Sequence, residues 1–213
     1  MDHADYVREW SRLHGYDPGG NGFVRGWLRL SYALARPLAA AGVSPHLLTA
    51  AGVLAATAAA VVADEDRPGR LLLAAGLVLA SAVLDGVDGA VAVLARRTSR
   101  VGALLDSAAD RVSDLLLVGV LWRAGADPSL SVLAGALTFL LEYVRARATV
   151  AGLTDVGVVT VGERPTRVVV VTAGVLATAV LGAGWASPAA AGVAGLTAIG
   201  LVQFLGVAVS RLR

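Results

Sequence analysis

Residues 70–95 read RLLLAAGLVLASAVLDGVDGAVAVLA, and residues 101–124 read VGALLDSAADRVSDLLLVGVLWRA. Each stretch is long and apolar enough to cross a bilayer as a helix. Yet each holds a pair of aspartates: Asp85 with Asp88, and Asp106 with Asp110. An ionisable group at the centre of a membrane helix costs roughly 3 kcal/mol on insertion scales, so four naked ones would cost on the order of 10 kcal/mol. Hard divalent cations compensate carboxylates well, because Mg2+ and Mn2+ prefer oxygen ligands. The pairs therefore point to a metal centre inside a membrane protein.

Spacing strengthens that reading. Asp85 and Asp88 are three residues apart, Asp106 and Asp110 four, so each pair shares one helix face. A hairpin turning near residue 98 would set residue 88 opposite about 108, and 85 opposite about 111. All four carboxylates would then lie at one depth, roughly 15 Å in from the turn. Two antiparallel helices so arranged would clamp one or two metal ions. Gly86, Gly89, Ala90, Ala92, Gly102 and Ala103 surround the acids. Small side chains there leave room for a bulky ligand or let helices approach closely.

Composition fixes the class around this stretch. The 213 residues are 56% hydrophobic and 16% charged, and the mean hydropathy of +0.70 indicates an all-α polytopic membrane protein. Absence of cysteine excludes disulfide and thiolate-metal chemistry. All 18 basic residues are arginine, so Schiff-base or lysine-nucleophile catalysis is excluded too. The arginines are scattered between apolar stretches, which suits anionic headgroups and argues against nucleic acid. His3, His14 and His46 are not clustered, which argues against a histidine metal site. Trp10, Trp27, Trp122 and Trp185 fit interfacial belts.

Residues 1–21 form a polar N-terminal segment without the apolar core of a signal peptide, ending in the loop signal Asp17-Pro18-Gly19-Gly20-Asn21. Residues 22–213 read as one membrane domain. About 22–42 mixes Arg25, Arg29 and Arg36 with Phe23, Trp27, Leu28 and Leu34, the pattern of an interfacial amphipathic helix. Six transmembrane helices follow at about 45–63, 70–95, 101–124, 129–150, 166–184 and 188–210. Fourteen arginines fall on one side of these spans, and only Arg67, Arg70 and Arg123 on the other. The positive-inside rule then puts both termini in the cytoplasm and the acids toward the cytoplasmic face of the cell membrane. Arg111 and Glu142 lie inside spans; Arg111 is expected to pair with Asp114, and Glu142 with Arg145 or Arg111.

The acidic run resembles the signature of the CDP-alcohol phosphatidyltransferase family, Asp-x2-Asp-Gly-x2-Ala-Arg-x8-Gly-x3-Asp-x3-Asp. Asp85, Asp88, Gly89, Ala92, Gly102, Asp106 and Asp110 match it with every spacing kept. Val93 stands where the signature has arginine, with Arg96 and Arg97 one helical turn further on as candidates to take its place. The likeness covers about 25–185. Pro45 and Thr49 match a second family element, Pro-Asn-x-x-Thr, where His46 replaces the asparagine. A less specific likeness, through Tyr143-Val-Arg145-Ala-Arg147-Ala148 and Glu163-Arg164-Pro165-x-Arg167, is to the actinobacterial phosphatidylinositol phosphate synthases.

The resemblance implies transfer of a phosphatidyl group from CDP-diacylglycerol to an alcohol, releasing CMP. It implies two Mg2+ or Mn2+ ions on Asp85, Asp88, Asp106 and Asp110, with Asp110 as the catalytic base. Thr49, Gly89, Ala92 and Gly102 would meet the nucleotide. Arg145, Arg147, Arg164 and Arg167 would hold the phosphate of an inositol phosphate acceptor, a use that suits bidentate guanidinium groups. It also implies a homodimer among membrane lipids. Glycerol phosphate or phosphatidylglycerol is the alternative acceptor, and a cation transporter or an inactive homologue the alternative outside catalysis.

Overall fold

In a computed structural model that describes residues 1–15, 17–20, 22–153 and 159–213, the chain forms helices and no strand among those residues. Helix α1 spans His3–His14 and is followed by a short 3-10 turn, Pro18–Gly20. Then come α2 (Gly22–Ala40), α3 (Pro45–Val62), α4 (Pro68–Leu94) and α5 (Arg100–Arg123). The chain ends with α6 (Pro128–Val150), α7 (Arg164–Leu181) and α8 (Ala186–Leu212). Residues 16, 21 and 154–158 lie outside the described set, so the Asn21 end of the first loop signal and part of the 145–167 polar stretch do too.

The starts of these helices have local causes. Pro45, Pro68 and Pro128 open α3, α4 and α6, where a missing N–H costs nothing. Ser99 caps α5 by accepting from the Gly102 amide at 2.9 Å, and Asp127 caps α6 by accepting from Ser129 and Leu130. Every expected span coincides with a helix to within about three residues at either end. Five helices (α3, α4, α6, α7 and α8) are long and apolar enough to cross a membrane. Helix α5 is long enough at 24 residues, but Asp106, Asp110, Arg111 and Asp114 crowd its middle and lower its hydropathy.

Two features depart from the sequence reading. Polar residues 3–14 are a helix rather than merely a polar segment. Asp2 caps it by accepting from the Asp5 amide at 2.8 Å, Arg8 pairs with Asp5, and Arg12 pairs with Glu9. Its anchor is Tyr6, buried against Leu28, Ala35 and Val91, with its ring 5.6 Å from that of Tyr32. Burial pushes the Tyr6 phenol up to about 12, so it stays protonated.

The second departure concerns the hairpin. Helices α4 and α5 do not pack on one another as a close pair. Both pack instead on α3 and on α7. The acids therefore face one another across a gap rather than through a tight interface.

Small residues set the helix spacing. At Gly52 an added Cβ would stand 3.5 Å from the Ser81 carbonyl, which lets α3 lie close along α4. Gly174 faces the Ala189 methyl so closely that no Cβ fits between α7 and α8. At the end of the bundle away from the acids, Ala59, Ala63, Leu71, Val78, Leu121, Val171, Val175 and Val193 form the largest apolar core. That core fixes the axes on which the site is mounted. Gly174→Val should therefore destabilise the bundle by roughly 1–3 kcal/mol through overpacking. Gly206→Ala, into open space, should be nearly neutral. Thermal unfolding of the detergent-solubilised variants checks both.

Candidate active site

Asp85 and Asp88 lie in the last three turns of α4, and Asp106 and Asp110 in the first three turns of α5. The gap between the helices brings Asp85, Asp106 and Asp110 together, with one carboxylate oxygen of each within 4.8 Å of the others. Asp88 is not in that group. It is buried, and its two oxygens accept from the Thr49 hydroxyl and the Gly89 amide. Helix α3 thus contributes Thr49 to the orientation of one acid.

Arginines meet the cluster from α7. The Arg164 guanidinium bridges Asp85 and Asp110, and its Nε lies 3.8 Å from Asp114. Arg167 is buried; it donates to Asp114 at 3.0 Å and to the Gly162 carbonyl. Arg111 lies 3.2 Å from Asp114 and 3.4 Å from Glu142, two pairings expected from the sequence. Arg145 pairs with Glu163, donates to the Thr160 hydroxyl at 3.0 Å, and stands 5.6 Å over the Phe204 ring. Arg147 is exposed at the end of α6 and pairs with no described residue. Of the four arginines expected at an acceptor site, Arg164 reaches the acids, Arg145 and Arg147 lie on α6, and Arg167 is committed to Asp114.

Glycines position this basic side. Gly162 and Gly200 meet so closely that a Cβ on Gly200 would stand 3.0 Å from the Gly162 amide. The segment before α7 is thereby pressed against α8, where the Val161 amide donates to Gln203 at 3.1 Å. That contact presents Thr160 and Glu163 to Arg145. The sequence reading missed Thr160; a Thr three residues before a Glu at a helix start is its only local signal.

Charge does not balance within the cluster. Asp85, Asp88, Asp106, Asp110, Asp114, Glu142 and Glu163 face Arg111, Arg145, Arg164 and Arg167. When all are ionised, the acids exceed the arginines by three. Hard carboxylate oxygens in surplus, three of them converging, are a donor set that fits divalent Mg2+ or Mn2+.

A cavity of about 760 Å3 opens on the other side of the acids. Asp85, Asp88 and Asp106 line it, and so do Thr49, Gly89, Ala92 and Gly102, the four residues expected at a nucleotide. His46 lines it as well, close to Gly102. The far wall comes from the N-terminal helices, through Tyr6, Trp10, Trp27, Leu28 and Ser31. Two of the tryptophans expected in interfacial belts contribute to this site. Trp10 lines the cavity, and the Trp27 indole lies against Gly86, leaving no space for a Cβ there. Glycine between the two α4 acids is what admits that ring. Trp122 and Trp185 are exposed.

Ionisation outside the spans makes one prediction. Burial pushes the Glu163 carboxyl up, but hydrogen bonds from Arg145 and Thr160 outweigh it and hold the group below its ordinary value of 4.5. A depressed folded-state value means the pair contributes stability fully above the unfolded value and loses it as pH falls through the folded one. Wild type should therefore melt above Glu163→Gln at neutral pH, with the difference closing only below about pH 4.5. Melting curves across pH 3–7 check this.

Residues 42–205 match the CDP-alcohol phosphatidyltransferase family. A phosphatidylinositol phosphate synthase of Mycobacterium marinum (strain ATCC BAA-535 / M) is 35% identical over 154 residues, covering 68% of this chain. The match spans just under two thirds of that relative, 64% of its length. Two crystal structures of Mycobacterium tuberculosis phosphatidylinositol phosphate synthase superpose with a TM-score of 0.69 at 28% identity. One has CDP-DAG bound; it is covered to 94%, and 84% of this chain is covered. The other is a complex with manganese and citrate, covered to 88%, again with 84% of this chain.

Proposed function

The chain belongs to the CDP-alcohol phosphatidyltransferase family, and from that premise we propose that it transfers a phosphatidyl group from CDP-diacylglycerol to inositol phosphate, releasing CMP. One observation carries the proposal. The converging oxygens of Asp85, Asp106 and Asp110 stand between a large cavity and a set of arginines. A two-substrate transfer needs that order of parts: a nucleotide-lipid pocket, an electrophilic centre, and an anion receptor.

In the proposed reaction an acceptor hydroxyl attacks the β-phosphorus of the CDP-lipid. The new oxygen–phosphorus bond forms as the bond to the CMP oxygen breaks. Asp110 takes the hydroxyl proton, and Arg164, in contact with it, holds the carboxylate in place. Asp85, Asp88, Asp106 and Asp110 would hold two divalent ions, which when bound supply Lewis-acid neutralisation of the pyrophosphate. Thr49 orients Asp88, and Gly89, Ala92 and Gly102 leave backbone surface for the cytidine. Arg145, Arg147 and Arg164 receive the acceptor phosphate, and Arg167 braces Asp114 beneath them.

The same reading extends to the membrane. We assign α5 as a sixth span, whose acids are matched within the bundle by arginines and metal. Helix α2 lies along the interface, in keeping with Leu30 and Leu34 exposed beside Arg29. Both termini then face the cytoplasm with the site near that face, and the enzyme works as a homodimer.

Purified protein with CDP-diacylglycerol, Mg2+ or Mn2+, and a panel of inositol phosphate, inositol, glycerol phosphate and phosphatidylglycerol tests the acceptor. Mass spectrometry should find phosphatidylinositol phosphate and CMP; product from glycerol phosphate alone would refute the assignment. Asp110→Asn should lower kcat by about 100-fold or more. Arg147→Ala should raise KM for the acceptor by about tenfold and leave KM for the CDP-lipid unchanged.

A further inference from the structure

The large cavity has an uneven charge. Asp85, Asp88 and Asp106 line its floor, and the only cations among its lining residues are Arg97 and Arg100, both exposed. How Arg97 comes to be there is informative. Helix α4 ends at Leu94, and the chain then reverses: the Arg96 amide donates to the Val93 carbonyl at 3.1 Å, and the Arg97 amide to the Ala92 carbonyl at 2.9 Å. This double closure requires a left-handed residue, usually glycine. Here the residue is Arg96, with φ 54°, the only non-glycine residue with positive φ among the described residues. Such a conformation costs about 1 kcal/mol or more and persists where surrounding structure demands it.

The consequence is that Arg97 is folded back over the last turn of α4, beside Ala92 and Val93. Both of those residues line the same cavity. Val93 is buried and apolar, so it offers a phosphate nothing. Arg97 makes no ion pair with a described residue, whereas the arginines on the other side of the acids are held by carboxylates, Arg147 excepted.

Resting on the function proposed above, we propose that Arg97 binds a phosphate of the nucleotide lipid, supplying from the helix-ending turn the guanidinium that Val93 lacks. Arg96 serves only to turn the chain and does not touch the ligand. A guanidinium at this position complements the negative end of α4 in the free protein and a phosphate oxygen in the complex.

Steady-state kinetics on Arg97→Ala, Arg97→Lys, Arg96→Gly and the wild type tests this, with CMP binding in the presence of Mn2+ measured alongside. Arg97→Ala should raise KM for CDP-diacylglycerol and Kd for CMP by about tenfold or more. Its KM for the acceptor and its kcat should change less than threefold, and Arg97→Lys should fall between it and wild type. Arg96→Gly should keep wild-type KM, because glycine adopts the same turn without strain. Wild-type KM and Kd in Arg97→Ala would overturn the inference, as would an equal loss in Arg96→Gly. A wild-type protein with no transfer activity would instead refute the proposed function, a separate result.

Discussion

A carboxylate inside a helical bundle has to be met by positive charge, because neither lipid nor packed side chains solvate it. Seven acids gather where α4, α5, α6 and α7 come together, and four arginines answer them. Arg164 touches acids on both α4 and α5, and Arg167 and Arg111 converge on Asp114. Removing one partner from such a network leaves a buried charge unmatched, which costs more than the pair itself contributes. The network therefore fixes which faces of four helices look inward. The surplus of negative charge left over is the feature that a divalent cation would complete.

Close backbone approach is the second constraint, and it serves the first. Gly52, Gly162, Gly174 and Gly200 let helices and one connecting segment come near enough to hold the charged groups at bonding distance. Gly86 works differently, since it leaves the room that the Trp27 ring takes up against α4. Trp27 and Trp10 thereby close a cavity that α3, α4 and α5 leave open. Tyr6, Trp10, Trp27, Leu28 and Ser31 precede the part of the chain that matches the family, yet they build one wall of its cavity.

Much of this was legible in the sequence. Long apolar runs bounded by proline and charge located the helices from α3 to α8, and the mixture of arginines with aromatics located α2, because hydropathy and capping act locally. The spacing of Asp85, Asp88, Gly89, Gly102, Asp106 and Asp110 located the acids on facing helices. What stayed hidden depends on distant packing. No local pattern says that α3 and α7 hold α4 and α5 apart, that Asp88 is oriented by Thr49 thirty-nine residues away, or that the Trp27 ring lies against Gly86. The helix at His3–His14 was obscured by its many charges, although Tyr6, Val7, Trp10 and Leu13 recur on one face at helical spacing and pack inward.

The central claim is that Asp85, Asp106 and Asp110 form a divalent metal centre between a nucleotide cavity and an anion receptor. Crystals of the purified protein grown with Mn2+, measured at the manganese absorption edge, test it directly. The account predicts anomalous density among the oxygens of Asp85, Asp106 and Asp110. Density confined to other positions, in crystals of protein that turns over CDP-diacylglycerol, would contradict it.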